Sequence, residues 1–281
     1  MAEAARTALV TGATSGLGRA VATALAQQGV HVLVHGRDRQ RTQALAEELD
    51  GTAGGARPLV ADLSSLARVR ELALEVRARN RPLHVLVNNA GIGAGRAPYK
   101  QRETSAEGHE LRLAVNYLAP VLLTRLLLPV LSASAPARVV NVGSVGQAPV
   151  DFRDVDMTSG YGGAEAYFRS KFALAAFTVD LGRSPEAKDA GVTVNCLHPA
   201  TFMDTKQVTE AGYAPWVPVS AGVGPVLELA TGEAGGRYSG EYFDGRRRAS
   251  AHQAVYDSEI RDRLRKVTDE RLAPFTAEPG S

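Results

Sequence analysis

Tyr167 and Lys171 are the two residues whose types and spacing most clearly indicate chemistry. They lie four apart in residues 164–181, a stretch without Gly or Pro whose apolar residues recur at helical spacing, which predicts an amphipathic helix. Residues four apart share one helix face, and an ammonium beside a phenol lowers the Tyr pKa from about 10 toward neutrality. Such a Tyr can donate a proton to a carbonyl oxygen or accept one from an alcohol. Because the same pair also occurs on ordinary helix surfaces, the rest of the chain has to decide between these interpretations.

The composition limits the classes of partner. The 281 residues are 44% hydrophobic and 22% charged, as in a soluble globular protein. The 32 basic and 30 acidic residues leave a net charge of +2, too small to attract nucleic acid or an anionic membrane. The sole cysteine, Cys196, can form no disulfide within the chain and has no cysteine partner for a zinc site. We therefore expect a cytoplasmic protein that binds no metal, nucleic acid or membrane.

The most apolar segment is residues 111–131. Arg112, Asn116, Arg125 and two prolines interrupt it, which predicts a buried helix rather than a membrane span. A buried amide needs hydrogen-bond partners, so Asn116 is predicted to have either a structural role or a role in a proton relay.

A glycine-rich turn follows the first predicted strand. The apolar run 7–10 predicts a strand buried on both faces, and a helix begins after the turn, near Leu17. Backbone N–H groups of such a turn can approach a pyrophosphate at the helix N-terminus. Its glycine spacing of i, i+4, i+6 differs from the common i, i+2, i+5 fingerprint, but the strand–turn–helix context still favours a dinucleotide. The predicted ligands here are Gly12, Thr14, Ser15, Gly16, Leu17 and Gly18.

The end of the second predicted strand, 31–34, bears on the choice of cofactor. An acidic residue there would bind the ribose 2′-hydroxyl and repel a 2′-phosphate. This chain has Gly36 and then Arg37, which can form charge-assisted bonds to a phosphate. The sequence therefore favours NADPH over NADH. Alternatively, Arg37 only belongs to a loop whose next residue, Asp38, caps a helix.

Later strands also end in polar or small residues. Strands are predicted at 59–61, 84–87, 139–142 and 192–197, with an edge strand at 240–243 and a last helix capped by Ser258. Alternation of strands and helices predicts a doubly wound Rossmann sheet of about seven parallel strands, with helices on both faces and the ligand across the strands' carboxyl ends. The residues placed there are Asp62, which either meets the adenine or caps a helix, 88–91, Ser144 and 198–200.

Together these residues resemble the short-chain dehydrogenase/reductase family. The matching positions occur in family order over roughly residues 6–245 and are Thr11, Gly12, Gly16, Gly18, Asp62, 88–91, Asn116, Ser144, Tyr167, Lys171 and Pro199. The resemblance implies one Rossmann domain over residues 1–281, strand order 3-2-1-4-5-6-7, and a homodimer or homotetramer. It implies further cofactor contacts from Leu63, Asn89, Ala90, Gly91, Tyr167, Lys171 and Pro199.

The resemblance also implies roles for four residues. Tyr167 would be the acid, and Lys171 would hold the nicotinamide ribose and lower the Tyr167 pKa. Ser144 would bond the substrate carbonyl, and Asn116 would position a water beside Lys171. Hydride would pass from NADPH to the carbonyl carbon, with the polar groups preorganised for the oxyanion.

The sequence departs from the family pattern in three places. An insert at 151–163 lengthens the separation of Ser144 and Tyr167, as in retinol-dehydrogenase-like members; its own Tyr161 is followed four residues on by Glu165, not Lys. Ala200 replaces the usual Gly after Pro199. Asp204 occupies the place of an expected Thr, with Thr201 and Thr205 on either side, which leaves the nicotinamide contacts open.

Residues 201–221 are predicted to form a lid over the nicotinamide. Their aromatic and apolar side chains indicate a bulky or lipophilic ketone, although they could instead pack against the protein or an oligomer partner; they are Phe202, Met203, Tyr213, Trp216 and Val217. The Ala- and Arg-rich composition resembles that of high-GC bacteria, in which such reductases tailor aromatic polyketides, and a retinol- or steroid-like substrate also fits. Residues 276–281 are predicted to be a frayed tail.

Two other functions were weighed. An epimerase or dehydratase on the same scaffold would use tightly bound NAD and a sizeable domain after Phe243, and Arg37 argues against it. A non-catalytic nucleotide sensor would be free to lose the four catalytic positions, all of which are present. The sequence therefore favours an NADPH-dependent ketoreductase.

Overall fold

The computed structural model describes residues 6–95 and 101–277. Its strands form one eight-stranded sheet in the order β3-β2-β1-β4-β5-β6-β7-β8. All neighbouring strands are parallel except β7 and β8, which form an antiparallel hairpin at the edge. The strands are β1 (Thr7–Val10), β2 (His31–Gly36), β3 (Ala56–Val60), β4 (Val85–Asn88), β5 (Ala137–Val142), β6 (Val192–His198), β7 (Tyr242–Asp244) and β8 (Arg247–Ala249).

The predicted Rossmann sheet and its seven-strand order are confirmed, and β8 is an addition that the sequence pattern did not predict. The sequence after β7 is Gly245 and three arginines, a polar run that is typical of a solvated loop. Gly245 instead adopts a positive φ of 58° and turns the chain back, so that Arg247–Ala249 pairs with β7.

Helices cover both faces of this sheet. They are α1 (Gly16–Gln27), α2 (Arg39–Asp50), α3 (Leu66–Ala78), α4 (Leu111–Leu113), α5 (Ala119–Ala133), α6 (Gly163–Gly182), α7 (Pro185–Asp189), α8 (Lys206–Glu210), α9 (Ser220–Ala230), α10 (Glu233–Arg237) and α11 (Ser258–Thr276). A π-helical turn, Ala114–Leu118, joins α4 to α5. Of the predicted frayed tail, Thr276 ends α11, and residues 278–281 lie outside the described residues.

Three predicted helix caps can be compared with the structure. Asp38 caps α2 as predicted, because its Oδ1 accepts the Arg41 N–H at 3.0 Å. Asp62 does not cap α3: its Oδ1 accepts the Ser64 N–H at 2.9 Å within the preceding turn, and Ser65 is the cap. Ser258 does not cap α11 either, since the Asp257 carboxylate accepts the first N–H groups of that helix.

The alternation of side chains along each strand divides the core into two apolar layers. Leu9 of β1 packs in the layer with α3, α5, α6 and α11, whereas its neighbours Ala8 and Val10 pack in the layer with α1, α2 and α9. Strands buried on both faces explain the nearly continuous apolar runs in the sequence.

The helical segment Leu111–Ala133 is long and apolar enough to cross a membrane by length and composition alone, with a mean hydropathy of 1.6. Our expectation that its polar residues and prolines exclude this was therefore wrong as a compositional argument. In the most apolar 18 residues of the segment, 78% are buried inside the protein, where the segment forms part of the apolar layer that includes α3.

A row of buried polar side chains links the ends of β4 and β5 to the helices. Asn88 Nδ2 donates to Asn141 Oδ1 at 2.8 Å and to Thr124 Oγ1 at 3.1 Å, and Asn141 Nδ2 donates to Thr178 Oγ1 at 2.9 Å. These bonds lie directly below the carboxyl edge of the sheet, so they hold the ends of the two strands in register.

We expect Asn141→Ala to destabilise the protein by roughly 2–3 kcal/mol, because it removes an acceptor from buried Asn88 and a donor to Thr178. Urea denaturation of the variant and the wild type measures the difference. A loss below about 0.5 kcal/mol, the size expected for an ordinary surface substitution, would contradict the structural role of this row.

Candidate active site

The glycine-rich turn between β1 and α1 forms a cradle in which three positions are glycine. A Cβ on Gly12 would lie 2.9 Å from the Ala90 Cα, and one on Gly18 would collide with the Gly12 carbonyl and the Asn89 amide. Gly12 and Gly16 have positive φ values of 64° and 51°. No side chain caps the N-terminus of α1, because Ser15 makes no capping bond. The first N–H groups of this helix are thus available to a phosphate, and the residues here fit a dinucleotide pyrophosphate.

Asn89 and Thr11 hold the cradle in shape. Asn89 Nδ2 donates to the Thr11 carbonyl at 2.9 Å, while Thr11 Oγ1 accepts the N–H groups of Asn89 and Ala90, each at 3.0 Å. The Asn89 side chain, predicted as a cofactor ligand, is therefore engaged with the loop backbone. Ala90 lies against Gly12 and forms the other wall of the cradle.

His35 supports the same cradle from below, and the sequence analysis did not identify it. Its Nδ1 accepts the Gly12 N–H at 3.3 Å, its Nε2 lies 3.1 Å from the Ala61 carbonyl, and its own carbonyl accepts the Ala13 N–H at 2.8 Å. Because Nδ1 accepts, the proton belongs on Nε2, which donates to Ala61. Burial lowers the His35 pKa to about 4. A lone polar residue inside an otherwise apolar buried strand was the available signal.

We expect the protonation of His35 to make the free energy of unfolding depend on pH. Its folded pKa of about 4 lies below the unfolded value of 6.5, so the unfolded state binds the extra proton between these pH values. Its contribution is complete above pH 6.5 and falls by about 3 kcal/mol as the pH drops to 4. In the wild type, the free energy of unfolding should therefore fall between pH 7 and pH 4. The variant His35→Asn, which keeps a hydrogen-bond acceptor near the position of Nδ1, should not show this fall. An unchanged slope would contradict the assignment.

Two arginines lie near the end of β2 where an adenosine ribose would bind. Arg37 is exposed at the carboxyl edge, and Arg41, one turn into α2, donates from Nη2 to the Thr14 carbonyl at 3.2 Å. A Cβ on Gly36 would come within 2.5 Å of the Thr14 and Thr42 side chains, so the position accepts only Gly. Arg41 was not predicted, although its i+4 spacing from Arg37 was a signal.

Two predicted adenine contacts lie at the end of β3. Asp62 is exposed at this edge and Leu63 beside it is buried. Asp62 is thus accessible to an adenine base. The structure contradicts the alternative prediction, that Asp62 caps a helix.

The four predicted catalytic side chains are brought to one place at the carboxyl ends of β4 and β5. The Ser144 and Tyr167 side chains are hydrogen-bonded, and Lys171 Nζ lies 5.8 Å from the centre of the Tyr167 ring. A Cβ built on Gly91 would lie 3.2 Å from Asn116 Oδ1 and 3.6 Å from Lys171 Nζ. Two residues that lie 25 and 80 positions further along the chain therefore meet beside Gly91.

The prediction that Lys171 lowers the Tyr167 pKa is wrong for the protein without a cofactor. Burial raises the Tyr167 pKa, and hydrogen bonds with the Ser144 and Gln207 side chains only partly oppose this. Lys171 Nζ donates instead to the Val142 carbonyl at 2.7 Å, and burial lowers the Lys171 pKa to about 8. Tyr167 is therefore protonated at neutral pH and suited to act as a proton donor.

Asn116 lies in the π-helical turn between α4 and α5. Its Oδ1 accepts the Ile92 N–H at 2.8 Å, and its Nδ2 donates to the Ile92 carbonyl and to Ser170 Oγ, both at 3.0 Å. The extra residue of a π-turn shifts the helix register, and such turns are frequent at functional sites. The amide thus has the partners that burial requires; its place in a water relay stays a prediction.

The segment after β6 closes over the cradle. A Cβ on Gly222 of α9 would lie 3.3 Å from Pro199 and 3.1 Å from Leu17, so these two predicted contacts converge. Thr205 lies over Gly16, at 3.5 Å from the place of its Cβ, whereas Thr201 Oγ1 bonds to His198 Nε2 at 2.9 Å. Of the two threonines left open by the sequence, Thr205 is therefore the one beside the cofactor cradle.

The aromatic residues of the lid pack on one another. The Phe202 ring stacks on Tyr213 with centroids 4.8 Å apart and meets Trp216 edge-on at 4.7 Å. Gln207 of α8, which the sequence did not indicate, hydrogen-bonds the Tyr167 side chain. The lid thus contacts the predicted acid directly.

Apolar side chains surround the entrance to the site. Among residues 6–95 and 101–277, the exposed large hydrophobic side chains are Val145, Phe168, Tyr213 and Trp216, with Trp216 70% exposed. Val145 follows Ser144, Phe168 follows Tyr167, and the other two belong to the lid. A cleft of about 220 Å³ is lined by Val145, Gln147, Tyr242, Asp244 and residues 249–252.

Comparison with known proteins agrees with this geometry. The sequence model of short chain dehydrogenases matches residues 6–213. Human retinol dehydrogenase 13 is 34% identical over 280 residues, covering 92% of this chain and 82% of that protein. Mouse polyprenol dehydrogenase is 40% identical over 216 residues, covering 74% of this chain and 63% of that protein. The Pseudomonas aeruginosa RhlG/NADP active-site complex has 29% identity and a TM-score of 0.69, covering 86% of this chain and 95% of that chain.

The chain belongs to the short-chain dehydrogenase family. Within that family it is retinol-dehydrogenase-like, as its similarity to several retinol dehydrogenases shows. It is accordingly an oxidoreductase that uses a nicotinamide cofactor and a small-molecule substrate.

Proposed function

We propose that this protein is an NADPH-dependent ketoreductase that acts on the carbonyl group of a bulky, lipophilic substrate. The observation that carries the proposal is the hydrogen-bonded Ser144–Tyr167 pair beside Lys171, open to an apolar entrance. The Ser144 and Tyr167 hydroxyls can both donate to one carbonyl oxygen. Burial raises the Tyr167 pKa further above neutrality, so the phenol keeps the proton that a developing oxyanion needs.

The chain's other residues bind and orient the cofactor. The cradle formed by Gly12, Gly16 and Gly18 would hold the pyrophosphate at the start of α1, and Arg37 a 2′-phosphate. Lys171, buried beside Tyr167, would hold the nicotinamide ribose. The nicotinamide, when bound, supplies the hydride. NADP in the RhlG complex supports the choice of NADPH.

The entrance supports the substrate class. Exposed apolar side chains in water are unfavourable unless they meet a ligand or partner. Val145 and Phe168 directly follow Ser144 and Tyr167 in the chain, and Tyr213 and Trp216 belong to the lid. The names of two relatives, retinol dehydrogenase and polyprenol dehydrogenase, specify lipophilic alcohols. We include aromatic polyketides and retinoid- or steroid-like carbonyls in this class.

A panel of carbonyl compounds tests the proposal through the loss of NADPH absorbance. Retinal, polycyclic aromatic ketones and a steroid ketone should be reduced with a kcat/KM at least about tenfold above that of a small sugar aldehyde, which leaves the apolar entrance empty. Trp216→Ala should reduce this preference and leave small-aldehyde turnover unchanged. Equal rates for all compounds would contradict the substrate class, and no turnover of any would contradict the activity.

We also propose that the protein is a cytoplasmic homodimer or homotetramer. The single cysteine, Cys196, is buried and free, as in a reducing compartment, and members of the family are usually oligomeric. Light scattering of the purified protein would measure its mass directly, and a monomer at micromolar concentration would contradict the assembly.

A further inference from the structure

The loop that follows β4 is held by two side chains from one helix. Asn116 bonds both backbone groups of Ile92, as described above, and Arg112 bonds the next two residues. Arg112 Nε donates to the Gly93 carbonyl at 2.8 Å, and its Nη2 donates to the Ala94 carbonyl at 3.1 Å. Three consecutive backbone positions, 92–94, are thus fixed in place. We refer to these residues as the 92–94 loop.

This loop forms the floor beneath the lid. A Cβ on Gly93 would lie 2.5 Å from Gln207 Cγ, so the Gln207 side chain rests directly on the loop. Gln207 also hydrogen-bonds the Tyr167 side chain. Gln207 of α8 therefore joins the 92–94 loop to the predicted acid.

Arg112 is a buried cation, and its position depends on a buried anion. Its side chain is 4% exposed and that of Glu110 is 1% exposed, with Nη1 and Oε1 3.3 Å apart. The second oxygen of Glu110 is occupied by the Leu113 N–H at 2.7 Å. A buried ion pair is stable only when its remaining hydrogen-bonding groups are satisfied.

The insert 151–163 supplies the missing partners. The Tyr161 hydroxyl accepts from Arg112 Nη1 at 2.7 Å and donates to Glu110 Oε1 at 2.9 Å, so it bridges the pair. From the same insert, Asp156 Oδ1 accepts the Glu110 N–H at 3.0 Å, and its Oδ2 accepts from Arg271 of α11 at 2.8 Å. Glu110 is therefore held by the insert at both its backbone and its side chain.

We propose that Tyr161 is a positioning residue: by bridging Glu110 and Arg112 it fixes the 92–94 loop and thus the seat of Gln207 over Tyr167. The insert, on this account, positions the substrate lid and takes no part in the chemistry. The effect on turnover rests on the proposed function, whereas the effect on the loop and lid does not.

Hydrogen exchange of Tyr161→Phe tests the proposal without any substrate. Loss of the hydroxyl leaves one N–H of Arg112 without an acceptor and removes one of the two donors to Glu110 Oε1, in a buried site. This should loosen the loop. Amides in residues 89–95 and 203–210 should exchange at least about fivefold faster than in the wild type.

Tyr117→Phe is the matched control. The Tyr117 hydroxyl is buried on the same helical segment and bonds Thr268 Oγ1 of α11 at 2.7 Å, with no contact to the loop. This variant should lose stability without faster exchange in either segment. If the two variants give the same exchange pattern, or if residues 89–95 loosen while 203–210 do not, the proposal is overturned.

Kinetics give a second, separate readout. With a carbonyl substrate, Tyr161→Phe should raise KM at least about fivefold while kcat and NADPH affinity change less than about twofold. Its effect on KM should be largely absent in a Gln207→Ala background, because both act through the same contact. Additive effects would overturn the link to the lid.

If the wild type reduces no carbonyl, the proposed function fails, and the exchange result still decides the role of Tyr161. Asp156→Ala, which removes the acceptor of the Glu110 N–H, is the second variant if Tyr161→Phe does not fold, and it should loosen the same two segments.

Discussion

Replacing Tyr167 by Phe should lower kcat for carbonyl reduction by about 10³-fold, within the range expected for loss of a general acid. The variant retains the ring but has no proton to give to the carbonyl oxygen, and its Ser144 partner cannot substitute because Ser144 only donates a hydrogen bond. NADPH affinity should change by less than about twofold, because the Tyr167 side chain hydrogen-bonds Ser144 and Gln207, neither of which belongs to the glycine cradle. Stopped-flow measurement of a single turnover gives the rate of reduction, and fluorescence titration with NADPH gives the cofactor affinity.

The control for this experiment is Tyr213→Phe, which removes an exposed hydroxyl from the lid and keeps its ring stacked on Phe202. It should reduce carbonyls at the wild-type rate. Reduction by Tyr167→Phe at more than about a tenth of the wild-type rate would exclude Tyr167 as the acid, since general acids contribute at least about 10²-fold. The pH dependence is an independent check: because burial raises the Tyr167 pKa, the rate of reduction should stay constant through neutral pH and fall only in alkaline solution.

Replacing Arg37 by Ala should weaken NADPH binding by about 10- to 100-fold and leave NADH binding nearly unchanged. The guanidinium is exposed at the end of β2, where it can pair with the 2′-phosphate, and charge-assisted bonds of this kind contribute roughly 1.5–3 kcal/mol. Titration with NADPH and NADH measures the selectivity. Competition by 2′-AMP and 5′-AMP measures the phosphate site alone, with no need for turnover.

Arg41→Ala is the matched variant, because it removes the same charge one helical turn away. The Arg41 guanidinium already donates a hydrogen bond to the Thr14 carbonyl. Replacing Arg41 should therefore weaken NADPH binding less than replacing Arg37. An equal loss of NADPH and NADH affinity in Arg37→Ala would refute the 2′-phosphate assignment. The exposed loop would then be the correct interpretation of Arg37.

Much of the fold could be predicted because it is written in local patterns. Buried strands appear as short apolar runs, helices as apolar residues at helical spacing, and their alternation leaves few topologies open. The edge hairpin was missed because its second strand, Arg247–Ala249, has no apolar pattern; it exists through pairing with β7. The errors at Asp62 and Ser258 have a similar origin, because several polar residues in a row can cap a helix and the backbone selects one of them.

The residues of the candidate site divide in the same way. Tyr167, Lys171 and the glycines of the cradle could be named from the sequence, because each motif is short and its spacing carries its own physical meaning. The contacts of Gln207 with Gly93 and Tyr167, and of Tyr161 with Glu110, join positions 40 or more residues apart. No local pattern marks such partners.

The sequence by itself determined which chemical groups this protein has and which strand ends present them, because side-chain type and period are properties of short segments. Only the tertiary structure decided their protonation and their support. Burial, which depends on every element packed around a group, raises the pKa of Tyr167 and lowers the pKa of His35 from their ordinary values. The same packing brings an insert with no catalytic residue against a buried ion pair, whose arginine binds the loop that contacts the lid.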